Sequence, residues 1–165
     1  MQRRVELDET LPPVRIPARI LHEICQHALE SLPEECCGLI VGNELERYRR
    51  PVRCRNEMTA LHHKDPETYP RDGRAAYYMN DHDVARVRKE AEEAGESVTA
   101  VYHSHIGAGA YLSALDLAHA EHTFFPFPDA DQIVIPLYDR TVRDIAVFRR
   151  GANGYAGHPV ERVES

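Results

Sequence analysis

The feature that most constrains the fold is an uneven alternation of helix-period and strand-period segments along 165 residues. Leu21, Ile24, Cys25, Ala28, Leu29 and Leu32 recur at i, i+3, i+4 and i+7, so residues 17 to 32 form a helix with one apolar stripe. Pro17 stands at its first position and Pro33 ends it. "CCGLIVG" follows, a short apolar run bounded by glycine that reads as a buried strand, with "ELERYRR" or "PVRCRN" as its partner. Residues 57–75 carry two prolines, a glycine and many charges and read as a long loop, after which "AYYMN" offers a strand. Asn80 or Asp81 caps a second helix whose Val84, Val87 and Ala91 face one way and which Gly95 stops. "SVTAVYHSH" is β-rich, "SALDLAHAEH" reads as a short third helix, and "QIVIPLYD" and "VRDIAVFRR" as two strands in tight connection. The pattern predicts an α/β chain, a mixed β-sheet flanked by helices. Residues 1–15 read as an irregular N-terminal arm, and residues 16–165 as a single domain.

Composition narrows the function classes. Apolar residues make up 42% and charged residues 28%, ordinary for a soluble globular chain, and no apolar run reaches the length of a membrane span. The N-terminus has no apolar signal stretch, so a cytoplasmic location is expected. A net charge of −7 with dispersed basic residues argues against nucleic acid as a partner. Cys25, Cys36, Cys37 and Cys54 contain no CxxC pair and read as buried thiols rather than a zinc knuckle or disulfide framework.

The chemistry gathers in "VYHSHIGAGAYLSALD", residues 101–116. Side chains alternate along a strand, so His103 and His105 project to one face and Ser104 to the other, where a structural hydrogen bond is expected. Two imidazoles on one face can reach one ion. Zinc accepts His nitrogen and carboxylate oxygen, and Asp116, in the first turn of the next helix, is the natural third ligand. Ser113 and Asp116 also have the spacing of a capping box, and can simply satisfy the free N–H groups of a helix start.

This stretch resembles the JAMM (MPN+) metalloprotease family, whose pattern is His-x-His, seven residues, then Ser-x-x-Asp, with a glutamate upstream. "PEECCGLIVG" is similar to the family's upstream segment, with Glu35 as the better match to that glutamate and Glu34 as the fallback. The loop ending "AYLS" is similar to that of bacterial single-domain members acting on ubiquitin-like sulfur-carrier proteins. The family usually has proline after the second histidine, where this chain has Ile106. The resemblance implies the JAMM/MPN, cytidine-deaminase-like architecture and Zn2+ on His103, His105, Asp116 and a water. It also implies hydrolysis of a peptide or isopeptide bond after the C-terminal Gly-Gly of a ubiquitin-like or sulfur-carrier protein.

Within that reading, Glu35 suits the general base and acid, and the Ser113 hydroxyl suits donation to the oxyanion. The small residues of "IGAGAYL" favour a narrow passage for a diglycine tail. His119 and His122 read as exposed helix histidines, and His62 and His63 as loop residues able to contact substrate. Cys36 and Cys37 lie near Glu35 but lack a histidine base. Two rival readings are a zinc peptidase of small or cell-wall peptides and a non-catalytic scaffold of the same fold. Such scaffolds typically lose metal ligands, and here none is lost.

Overall fold

The computed structural model describes residues 3–123 and 125–164. In chain order the elements are β1 (Val5–Glu6), β2 (Val14–Pro17), α1 (Ala18–Ser31), β3 (Cys37–Gly42), β4 (Arg50–Cys54), α2 (Met58–Lys64) and α3 (Asp81–Glu93). They continue with β5 (Ser97–Ile106), β6 (Tyr111–Leu112), α4 (Ala114–Ala120), β7 (Asp131–Tyr138), β8 (Thr141–Val142), β9 (Ala146–Gly151) and β10 (Gly154–Val163). The main sheet runs β2-β10-β9-β7-β5-β3-β4, with β8 added on β7, and β1 pairs separately with β6. The β5/β7 and β2/β10 pairs are parallel and the others antiparallel, so the sheet is mixed and flanked by helices, as the sequence predicts.

The central strands are apolar on both faces because helices cover both. On one face Ile20, Leu21 and Ile24 of α1 pack against Ile40, Tyr102 and Ile133. On the other, Val87 and Ala91 of α3 pack against Leu39, Val41 and Val101. Further along the sheet, Leu117 and Ala120 of α4 join Val134, Ala146 and Phe148. Every residue of β3 is buried, as is all of β7 except Tyr138. Among the described residues, no helix is long and apolar enough to cross a membrane.

Several sequence expectations are corrected. The stretch read as an irregular arm contains β1 and the start of β2, held by pairing with β6 and β10, partners too distant in sequence to foresee. Pro17 is the residue before α1 rather than its first turn. "PVRCRN" supplies the partner of β3, whereas most of "ELERYRR" forms the turn in which Asn43 Oδ1 accepts from the N–H groups of Leu45 and Glu46. The long loop contains α2, a helix too short to show a period, and "AYYMN" contributes only a bridge between Met79 and Asn56. Between β7 and β9 the chain inserts β8 after a turn at Asp139 and Arg140, both at positive φ. β10, rich in glycine and broken by Pro159, gives no strand signal in sequence, yet it bridges β9 and β2.

Gly38 shows why the apolar run on β3 must be interrupted. It lies opposite Tyr102 on β5, and a Cβ there would come within 2.3 Å of the tyrosine ring. The ring cannot easily withdraw, because Tyr102 is fully buried and its hydroxyl lies 2.7 Å from His27 Nδ1 on α1. Gly38→Ala is therefore expected to lower stability by about 1–3 kcal/mol through overpacking. Tyr102→Leu in the same chain should recover part of that loss. Denaturant unfolding of the two single variants and the double checks this; additive losses would mean that the two residues do not compete for space.

Candidate active site

β5 lies between β3 and β7, with His103 opposite Cys37 and Val134, and His105 opposite Pro136. The strand period puts both imidazoles on one side. Ser104 points the other way and its Oγ accepts from the Cys36 N–H at 2.8 Å, the structural bond expected of it. Beyond Gly107 the chain turns back through β6 to the start of α4, where Asp116 meets the histidines.

The Nε2 atoms of His103 and His105 are 3.1 Å apart, and Asp116 Oδ2 lies 3.3 Å from the first and 3.4 Å from the second. Three ligand atoms at bonds of about 2.0–2.1 Å around a tetrahedral zinc would sit about 3.3 Å from one another. The donor set and its spacing fit such an ion, and these three residues form a group that could hold a metal. The second ring nitrogen supports this: His105 Nδ1 donates to the Gly109 carbonyl at 2.9 Å, which leaves Nε2 with its lone pair. The His103 ring stacks on Tyr77 with centroids 4.5 Å apart, and its Nδ1 has no partner among the described residues. Burial pulls the His103 pKa down, towards the neutral form that ligates metal. Burial by itself would raise Asp116, but the two histidines outweigh it and hold the carboxyl well below the usual range.

The capping box is also present. Asp116 N–H donates to Ser113 Oγ at 3.0 Å, and Ser113 N–H donates to Asp116 Oδ2 at 3.2 Å. The cap and the metal-ready carboxylate are thus one arrangement, because the helix start that the cap fixes is what aims Oδ2 at the histidines.

Glu35 lies just before β3. Its N–H donates to the Gly73 carbonyl at 2.7 Å, and its own carbonyl accepts from Asn56 Nδ2 at 3.0 Å. The buried side chain lines the same cleft as His105, Ser113 and Asp116. Burial, and then the Asp116 charge, push its pKa up to about 9, with Arg71 opposing them. The neighbouring Glu34 turns elsewhere: its Oε2 accepts from Thr59 Oγ1 at 2.8 Å. The cleft is a cavity of about 180 Å³, with Ala75, Ala76 and Ala108 among its walls. Across Arg71, Ser113 and Asp116 it opens into a larger groove of about 600 Å³, bounded by Tyr69, Tyr77 and His119.

The other candidates stay apart from the metal-ready group. His119 and His122 are exposed, His119 bordering the groove, and His62 Nδ1 meets the Tyr69 carbonyl. His63 is exposed on α2. Burial pushes the Cys36 thiol up to about 12 and raises Cys37 as well, so neither offers a thiolate. Sequence reasoning missed Asn56. Its amide donates to the carbonyls of Glu35 and Ala76, and its Oδ1 accepts from the N–H groups of Met58 and Tyr78, tying the α2 region to the base of the cleft. It also missed Tyr77 beneath His103 and the β1 strand, just before which Arg4 lies over the Tyr111 ring beside His105. Neither has a motif, since both act through contacts between remote segments.

Comparison with known proteins places the chain in a family. A CysO-cysteine peptidase of Mycobacterium tuberculosis is 25% identical over 150 residues, covering 90% of each chain. The tail tip assembly protein K of Escherichia phage N15 is 30% identical over 112 residues, 66% of this chain and 37% of that protein. A solution structure of a protein from Desulfitobacterium hafniense shares the fold, with a TM-score of 0.64 at 19% identity over 92% of this chain and 93% of that one. The family described as prokaryotic homologs of the JAB domain matches residues 17–145, most of the chain and all of the cleft's ligand-bearing segments, and the protein belongs to that family.

Proposed function

We propose that this protein is a zinc-dependent hydrolase that cuts the peptide or isopeptide bond after the C-terminal glycines of a ubiquitin-like or sulfur-carrier protein. The observation that carries the reading is the convergence of His103 Nε2, His105 Nε2 and Asp116 Oδ2 at 3.1–3.4 Å beside the buried Glu35. The relative named CysO-cysteine peptidase supports a carrier-type substrate. The complete ligand set argues against a non-catalytic scaffold.

When bound, zinc would lower the pKa of its water and polarise the scissile carbonyl. The chain's own residues do the rest. Glu35 takes a proton from the attacking water and delivers it to the leaving nitrogen, as the carbonyl carbon gains oxygen and loses nitrogen. Burial holds the Glu35 pKa above the usual carboxylate range, so the side chain keeps a proton readily, and a cation nearby would favour the ionised form that a base requires. Ser113 Oγ spends a lone pair on the Asp116 N–H, which leaves its hydroxyl proton free to donate to the oxygen on which charge develops. Ala76, on the wall that the groove and the cleft share beside Asp116, leaves room there for a chain without side chains, so glycine is favoured before the scissile bond.

Purified protein is expected to hold about one zinc per chain, and His103→Ala, His105→Ala and Asp116→Ala each to weaken binding about 100-fold or more. Metal analysis after dialysis against a competing chelator measures this. Full zinc retention in all three variants would remove the site.

Glu35→Gln should keep zinc and the fold while lowering turnover by about 100- to 10,000-fold, because the amide keeps the shape but carries no proton. Burial already disfavours a charge at this position, so an uncharged amide of the same shape is expected to cost no stability. Glu34→Gln should leave turnover near the parent's. The reverse pattern would place the base one residue earlier.

Carrier proteins extended beyond Gly-Gly are the expected substrates. Replacing the last glycine by a bulky residue should abolish most cleavage, and the isolated tail peptide should be a poor substrate. Mass spectrometry locates the cut, and equal turnover of free tail and folded carrier would favour a peptidase of small peptides.

A further inference from the structure

The two arginines on the narrow cleft differ in a way that bears on what leaves after the cut. Arg74 is committed to Asp72, with Nε 3.0 Å from Oδ2 and 3.3 Å from Oδ1 and Nη2 2.8 Å from Oδ2. Arg71 forms no ion pair or hydrogen bond with any described residue, yet it borders both the 180 Å³ cleft and the 600 Å³ groove at the point where they meet beside Ser113 and Asp116. It is close enough for its charge to act on Glu35, the group that hands the proton to the leaving nitrogen. A guanidinium fork presents paired donors that match a carboxylate.

The possible leaving groups differ in where they carry negative charge. A single C-terminal residue bears its α-carboxylate one carbon from the scissile nitrogen. A lysine side chain in an isopeptide bond has only methylenes near that nitrogen, and a longer peptide has an uncharged amide at the same place. The narrow cleft has room for one small residue, while the wider groove can take the incoming tail.

We propose that Arg71 is a specificity-determining residue that grips the free α-carboxylate of a single residue attached beyond the terminal glycine. The protein then acts as a carboxypeptidase that trims one residue, rather than as an isopeptidase. The inference rests on the hydrolase reading above. Water adds across the Gly–X amide: the C–N bond breaks, a C–O bond forms, and the products are a carrier ending in a glycine carboxylate and one free amino acid.

The test uses a carrier protein ending in Gly-Gly-Ala, the same protein with a C-terminal carboxamide, and the carrier joined through Gly-Gly to a lysine side chain. Binding of the first two is measured by calorimetry on the zinc-loaded Glu35→Gln variant, which holds substrate without turning it over. Cleavage of all three is measured on the parent. The free acid is expected to bind about tenfold tighter than the carboxamide and to be cleaved in preference to both other substrates. Adding Arg71→Ala should bring the acid-to-amide binding ratio close to one, whereas Arg74→Ala should leave the ratio in place. Equal binding of acid and carboxamide, or a ratio unmoved by Arg71→Ala, overturns the inference whatever the turnover. Absence of cleavage of all three substrates with the binding ratio intact would instead overturn the hydrolase reading and leave the carboxylate site standing.

Discussion

Three ligand atoms from two different elements are held within 3.4 Å of one another, and much of this structure serves to keep them there. Left to themselves, the two imidazoles and the carboxylate would sample several rotamers. Here the freedom to do so is removed. β5 is clamped on both edges by β3 and β7, the His105 ring is fixed through its Nδ1 by Gly109, the His103 ring is pressed against Tyr77, and Asp116 is fixed by its cap with Ser113. Because the three atoms are already placed, a cation binding among them would lose little to the ordering of side chains. Such preorganisation favours a small divalent ion over a looser arrangement of the same side chains.

The base of the cleft is held by a different device. Glu35 is a carboxyl in a nearly dry place, and its backbone is tied to Gly73 and Asn56 while the next residue is tied to Ser104. Asn56 uses both its donors and its acceptor on four backbone groups from separate segments. The segment carrying Arg71, Ala75 and Tyr77 is thereby set against the start of β3. A change in that segment shifts the surroundings of Glu35 and, at Tyr77, those of His103 as well.

The sequence made some of this legible and hid the rest for physical reasons. The two-residue period of a strand is enough to place His103 and His105 together and Ser104 apart, and the cap spacing is enough to start α4 at Ser113. That Asp116 closes onto the histidines depends on the path of residues 107–113, which pairing with the remote β1 and the bond from His105 to the Gly109 carbonyl fix. α2 spans seven residues without a side-chain cap, too short for periodicity to rise above its polar neighbours. β1 is two residues long and β10 mixes glycine with proline, so neither shows as a strand until its partner is known. Glu34 and Glu35 are indistinguishable by chemistry, and only the fold shows that Thr59 takes one while the cleft takes the other.

The pairing of β1 with β6 gives the front of the chain an influence out of proportion to its size. Val5 and Glu6 run beside Leu112 and Tyr111, Arg4 lies over the Tyr111 ring, and that ring rests 4.9 Å from His105. The segment common to the family begins only at residue 17, after this strand. Relatives that differ in their first dozen residues can therefore differ in how firmly the second histidine is seated, with every ligand unchanged. Variation at the front of the chain becomes a way to adjust the seating of His105 and the rigidity of the cleft wall while leaving the main sheet alone.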